Sequence, residues 1–209
     1  MFVYHAVMAV DMVWQPSLLG SSSAGIDRSF VGARRHELGS GAWVEEIPLW
    51  ATGTDTLFDQ VAHAAPWGPV EHRPMYDRFV EVPRRSSGVW PDPPQRIVEM
   101  ADALSERYGL DLHTVSANLY RDGNDSVAWH GDRVGRHRAV TVVAILTLGS
   151  PRRFLLRPTG GGALLAFEPG AGDLLVMGGT CQRTWEHSVP KRAAAGPRIC
   201  VMFRQPGGS

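Results

Sequence analysis

His130 and Asp132 are the residues whose types and spacing most directly suggest chemistry. Side chains on an extended strand alternate between faces, so an imidazole and a carboxylate two positions apart stand side by side. Such a pair is two thirds of a 2-His-1-carboxylate site, which suits a non-haem Fe(II) ion with open coordination positions. Alone, the pair more commonly means a surface His and Asp. A third ligand is needed, and His187 in Trp185-Glu186-His187-Ser188-Val189-Pro190 is the candidate. Trp185 and Val189 flank it at two residues on either side, which turns it inward, where a satisfied core histidine is the competing reading. His137 lies in the basic loop Arg133–Arg138 and His113 opens a strand, so neither competes strongly.

Arg198 opens the run Arg198-Ile199-Cys200-Val201-Met202-Phe203-Arg204. Period two sends Ile199, Val201 and Phe203 one way and Arg198, Cys200, Met202 and Arg204 the other. A buried guanidinium needs a partner, and a carboxylate offers a bidentate one. A dicarboxylate cosubstrate would supply it; a rim salt bridge with Glu168 or Asp173 is the plainer alternative.

These residues must be positioned by the elements around them. Eight short strand-like runs follow Gly109: His113–Tyr120, Ser126–His130, Ala139–Leu148, Arg153–Arg157, Ala163–Phe167, Asp173–Met177, Trp185–Val189 and Arg198–Arg204. Regular short strands separated by turn residues predict a sandwich or barrel, and eight strands in two sheets is the count of a cupin-like jelly roll. Upstream, Ala42–Ile47 reads as a strand. One helix is expected from a cap at Thr54 to Pro66, and a second from Pro93 or Pro94 to Tyr108 with Gly109 as its terminator. The fold class is therefore mainly β with flanking helices (α+β). Residues 1–40 are expected to be a flexible lead-in, and 41–209 one domain with 110–205 as its jelly-roll core. Within it, 67–95 mixes aromatics with arginines, either to stack on bases and meet phosphates or to plug aromatics onto the core.

Composition narrows the classes. The chain has 209 residues, 44% apolar and 20% charged, which suits one globular unit with a sizeable core. The formal net charge is zero, so any polyanion site must be a local patch. Two cysteines, Cys181 and Cys200, exclude a disulfide framework and a four-cysteine zinc site, and fit a reducing cytoplasmic location. No run of about 18 apolar residues suggests a membrane span. The opening MFVYHAVMAV is apolar without a basic start, and reads as an extension or an early start codon, with Met8 and Met12 as alternatives.

From Trp67 to Gln205 the chain resembles the AlkB family of Fe(II)- and 2-oxoglutarate-dependent dioxygenases. The resemblance rests on Asn118-Leu119-Tyr120-Arg121-Asp122-Gly123-Asn124-Asp125-Ser126-Val127-Ala128-Trp129-His130-Gly131-Asp132, on Gly172-Asp173-Leu174-Leu175-Val176-Met177, on His187, and on Arg198 to Arg204. It implies a double-stranded β-helix core. It implies that His130, Asp132 and His187 hold the catalytic Fe(II), and that Arg198 binds the distal carboxylate of 2-oxoglutarate with Tyr120 near by. Asn118 and Arg204 would surround its other end, although six residues of strand span about 20 Å, so the two arginines must converge through their side chains. The implied reaction consumes O2 and 2-oxoglutarate and removes a methyl group from a base such as 1-methyladenine or 3-methylcytosine in DNA or RNA. Succinate, CO2 and formaldehyde are released. A base in a duplex must be flipped out to react. Residues 67–95 would be the nucleotide-recognition lid, with Trp67, Met75 and Tyr76 meeting the base. Phosphate contacts would come from Arg133, Arg136, Arg138, Arg152 and Arg153. A monomer is expected.

Three departures bear on the substrate. Val134 stands where several members carry an acidic residue that contacts the cationic base, Cys200 stands where others have a polar residue, and Val82–Pro94 is shortened. They keep open a hydroxylase or demethylase of a protein or small molecule. A binding module with a dead metal site and a zinc hydrolase on the same three ligands are weaker readings, the last because it leaves Arg198 without a purpose.

Overall fold

The computed structural model describes residues 23–69, 72–75, 78–81, 84–132 and 138–207, with the backbone alone for 72–75 and 78–81. Among these residues, a seven-stranded antiparallel sheet faces a four-stranded one. The large sheet runs β2 (Arg34–Gly39), β3 (Ala42–Ile47), β13 (Leu174–Gly179), β10 (Thr141–Gly149), β15 (Arg198–Arg204), β8 (Thr114–Tyr120), β7 (Arg85–Val89). The small sheet runs β12 (Leu165–Phe167), β11 (Phe154–Pro158), β14 (Trp185–Val189), β9 (Val127–His130). The eight strand-like runs thus divide four and four between the two layers, as a jelly roll requires. The remaining strands pair as β1 (Gly25–Ile26) with β4 (Ala51–Thr52), and β5 (His72–Met75) with β6 (Arg78–Glu81).

Period-two alternation sorts the large sheet into two cores. Val142, Ala144, Leu146 and Leu148 of β10, Val115, Ala117 and Leu119 of β8, and Ile199, Val201 and Phe203 of β15 pack against the helices α1 (Thr54–Ala64) and α2 (Gln95–Tyr108). Val143, Ile145, Leu175, Met177, Tyr120, Cys200 and Met202 face Phe154, Leu156 and Val189 of the small sheet. This explains why β10 is buried along its whole length: it is central in its sheet and covered on both faces. Each such aliphatic side chain contributes about 1.5–3 kcal/mol by leaving water. A one-residue slip of β15 would exchange its apolar and arginine-bearing faces, so the register is strongly determined.

Two expectations need correction. Within the expected lead-in, residues 25–26 and 34–39 are strands, and β2 pairs with β3 from Arg34↔Glu46 to Gly39↔Ala42. The Gly/Ser content upstream concealed an exposed edge strand whose side chains carry no hydrophobic period. Helix α1 is entered through Gly53 in the left-handed conformation (φ 62°) and no side chain caps it, so Thr54 is its first residue and not its cap. The second helix ends at Gly109, φ 65°, as expected. A short helix, α3 (Cys181–Thr184), links β13 to β14.

Candidate metal and cosubstrate site

The layer between the sheets is where the chemistry collects. His130 ends β9 and His187 lies in the middle of β14, directly opposite it across the strand pair. Their rings are 4.3 Å apart between centroids. Asp132 follows after one residue, with Oδ1 4.0 Å from His130 Nε2. One ligand atom from each of His130, Asp132 and His187 lies within 4.8 Å of the others, and among the described residues this is the metal-competent cluster.

The surroundings orient each ligand. His130 Nδ1 is 2.8 Å from the Ala128 carbonyl oxygen; a carbonyl can only accept, so Nδ1 carries the proton and Nε2 presents its lone pair. Phe154 stacks on His187 at 5.1 Å and 15°. Gln182 of α3 accepts a hydrogen bond of 2.9 Å from the Asp132 backbone N–H. A Cβ at position 131 would sit 2.9 Å from the Gln182 carbonyl oxygen, so the residue between the ligands must be small. Burial pushes the His187 pKa down to about 4, leaving a neutral imidazole fit to bind a metal. Burial alone would raise the Asp132 carboxyl, but His187, Arg204, His130 and Arg84 outweigh it and hold the group below its usual value.

The large sheet supplies the opposite wall. Arg198 pairs with Tyr120 across the β15–β8 ladder and Cys200 with Asn118. Arg198 is fully buried. Its Nη2 donates to Thr147 Oγ1 at 3.1 Å, while Nε and Nη1 meet no acceptor among the described residues. The rim salt bridge considered for it is not formed: Glu168 pairs with Arg192, and Asp173 accepts from the backbone N–H groups of Leu49 and Gly170. A cation buried with two unused donors is costly unless a ligand completes it. A carboxylate fits those donors in charge and geometry. At the other end of β15, Arg204 donates through Nη2 to Ser116 Oγ, and its buried Nε meets no acceptor among the described residues. Its charge acts on Asp132 and His187, so it leans toward the metal cluster. The two arginines thus stand at opposite ends of β15, and Arg204 is the one whose charge acts on the triad. Asn118 Nδ2 contacts Met202 Sδ at 3.2 Å. The donor set fits an Fe(II) ion at His130, Asp132 and His187, and the unused donors of Arg198 fit a carboxylate.

Arg84 had no assigned role in the sequence, yet its Nη1 donates to Tyr120 Oη at 3.2 Å and its charge acts on Asp132, His187 and Cys200. Nothing in the run of arginines at 84–85 tells which one turns inward; Arg85 instead donates to the Gly68 carbonyl. Thr147 was also missed, although a hydroxyl breaking the apolar stretch 142–148 of β10 is a readable signal.

Two substrate assignments are corrected. Arg152 is 1% exposed and donates to the carbonyls of Asp122, Asp125 and Pro190, so it is not a surface phosphate contact. Trp67 packs against the helix-side core, across the large sheet from the triad, and its indole N–H donates to the Ala62 carbonyl at 2.8 Å. The bland alternative, an aromatic plugged onto the core, holds for this residue. Arg153 is exposed. Arg138 donates to the Pro206 carbonyl at 3.1 Å. Met75 lies on β5, while Tyr76, Arg133, Val134 and Arg136 fall outside the described residues.

Residues 48–204 match the model of the 2OG-Fe(II) oxygenase superfamily. The alkB homolog 3 dioxygenase of Bos taurus is 27% identical over 173 residues, covering 72% of this chain and 60% of that protein. The Arabidopsis thaliana protein named DNA oxidative demethylase ALKBH2 is 33% identical over 146 residues, covering 58% of this chain and 46% of that one. The chain thus spans less than two thirds of either relative. The solved structure of OsALKBH1 shares the fold at TM-score 0.54 and 14% identity, over 83% of this chain and all of that one. This chain belongs to the 2OG-Fe(II) oxygenase superfamily, and the relatives named here are AlkB homologues to which it is similar.

Proposed function

We propose that the protein is an Fe(II)- and 2-oxoglutarate-dependent demethylase of N-alkylated bases in DNA or RNA. The observation that carries this is Arg198, a fully buried guanidinium with two unused donors, set in the same inter-sheet layer as a His-Asp-His cluster. The name of the Arabidopsis thaliana relative, a DNA oxidative demethylase, supports the substrate class. When bound, the metal with 2-oxoglutarate and O2 supplies the oxidising power that hydroxylates an N-methyl group, which then leaves as formaldehyde. The chain's own part is positional. His130, Asp132 and His187 hold the metal; Arg198, Tyr120, Asn118 and Arg204 orient the cosubstrate; Phe154 and the surrounding aliphatic side chains exclude water. Residues 67–95 serve as lid on a single domain, with Met75 and Tyr76 as the remaining base contacts and Arg153 as the remaining arginine at the start of β11. The protein acts as a cytoplasmic monomer, and among the described residues no helix is long and apolar enough to cross a membrane.

The test is anaerobic loading with Fe(II), addition of 2-oxoglutarate and air, and mass spectrometry of oligonucleotides carrying 1-methyladenine or 3-methylcytosine. Restored bases with equimolar succinate are expected. Succinate release with an untouched oligonucleotide, and turnover on a peptide or metabolite, would favour the second reading: hydroxylation or demethylation of a protein or small molecule. The inward placement of Trp67, which removes one base partner, is the observation on its side.

A further inference from the structure

Arg152 is the second fully buried arginine of the inter-sheet region, and nothing in the reaction described above uses it. Its 1% exposure leaves no room for a surface role. Its Nη1 donates to the Asp122 carbonyl at 2.9 Å, and its Nη2 to the Asp125 and Pro190 carbonyls at 2.8 Å each. One guanidinium thereby ties the loop after β8 to the loop after β14. The same two loops meet at Gly123, whose carbonyl accepts from Arg192 N–H at 2.8 Å and where a Cβ would lie 2.1 Å from the Arg192 oxygen.

Among the described residues, every hydrogen-bond acceptor of Arg152 is a neutral carbonyl. The carboxylate of Asp125, itself buried, is taken by Arg121, which contacts it through Nε and Nη2 at 2.9 Å each. Arg152 and Arg198 both lie over the ring of Tyr120, with Cζ at 5.8 Å and 5.5 Å from its centroid. Burial, and then the charge of Arg198, depress the Arg152 pKa. Two guanidiniums therefore share one aromatic ring in the dry interior, and among the described residues neither is hydrogen-bonded to a carboxylate. Tying loops together needs donors but no charge, and a cation loses its hydration when it is buried. A single carboxylate entering beside the two guanidiniums would offset part of that positive charge.

We propose that Arg152 is a positioning residue for the distal carboxylate of the cosubstrate: it locks the Asp122–Asp125 and Pro190 loops against the Arg198–Tyr120 end of the site and adds the second positive charge there. The proposal rests on the 2-oxoglutarate reading. It makes Arg152 a determinant of selectivity for a dicarboxylate over a 2-oxo acid of the same length, and not a nucleic-acid contact.

The test is calorimetry on the full chain loaded anaerobically with Fe(II), comparing 2-oxoglutarate with 2-oxopentanoate, which lacks only the distal carboxylate. In Arg152→Met, 2-oxoglutarate affinity is expected to fall tenfold or more while 2-oxopentanoate affinity stays within about twofold. Arg152→Lys, which keeps the charge, should restore most of the preference. Equal weakening of both ligands would show a structural clasp alone, and unchanged preference would overturn the proposal outright. If Arg152→Met does not fold, a folded Arg152→Lys that has lost the preference refutes it equally. A wild-type protein with no preference for 2-oxoglutarate would bring down the cosubstrate reading itself, which separates the two failures.

Discussion

Replacing Arg198 by methionine should have opposite effects on the empty and the liganded protein. Methionine keeps most of the volume but removes the charge. In the ligand-free state Arg198 is fully buried, uses one nitrogen on Thr147 and leaves Nε and Nη1 unmatched among the described residues. Exchanging a poorly compensated buried charge for an apolar side chain of similar volume is often neutral or stabilising, by about 1–4 kcal/mol. With the dicarboxylate bound the position is reversed, because truncating one partner of a buried, hydrogen-bonded charge pair costs about 2–5 kcal/mol. At about 1.4 kcal/mol per factor of ten, the dissociation constant for 2-oxoglutarate should rise roughly 30-fold to several thousand-fold. Consider a loss of about 100-fold. Ligand at 100 times the wild-type constant stabilises the wild type by about 2.7 kcal/mol, and the variant by only about 0.4 kcal/mol, from RT ln(1 + [L]/Kd). For a domain of this size that is a thermal shift of about 5–10 °C against about 1 °C. Differential scanning calorimetry of the anaerobic metal-loaded proteins, with and without 2-oxoglutarate, reads both halves. Equal ligand-induced shifts in wild type and variant would refute the assignment of Arg198. A ligand-free variant destabilised by several kcal/mol would refute the claim that its charge is uncompensated.

Two further outcomes follow from the surroundings of the site. Gln182→Ala removes the acceptor that holds the Asp132 backbone at 2.9 Å; loss of such outer support should weaken Fe(II) or Mn(II) binding about 10- to 100-fold in a metal titration, while the circular dichroism spectrum is unchanged. His113 bridges Asp102 and Asp111, and the bonds to them raise its pKa. A raised histidine pKa contributes stability that is fully present below its unfolded value of about 6.5 and is lost as pH rises through the folded value. Denaturant midpoints should therefore fall slightly as pH rises above about 6.5, and His113→Gln should flatten that slope; a slope unchanged in the variant would count against the bridge.

The eight strands of the jelly roll were legible because each is short, apolar and closed by turn residues, and because alternation alone assigns its faces. Asn118 with Tyr120, and Arg198 with Arg204, were correctly placed on shared faces for that reason. The edge strand β2 was not legible, since its residues are mostly exposed and carry no alternation. The fates of the arginines were not legible either. Arg152 and Arg153 are neighbours in sequence, yet one is buried on three carbonyls and the other is exposed. Their difference depends on where the Asp122–Asp125 and Pro190 loops come to lie.

Sequence by itself determined the His-x-Asp pair, the faces of Asn118, Tyr120, Arg198 and Arg204 on their strands, and the motifs that mark the family, because all of these follow from local periodicity and residue type. Only the tertiary structure decided that His187 meets His130 across a strand pair, that Arg84 turns in toward Tyr120, that Trp67 turns away to the helix-side core, and that Arg198 is left with unused donors. Those outcomes depend on which layers pack face to face and on which acceptors arrive from distant parts of the chain. No local pattern encodes that information.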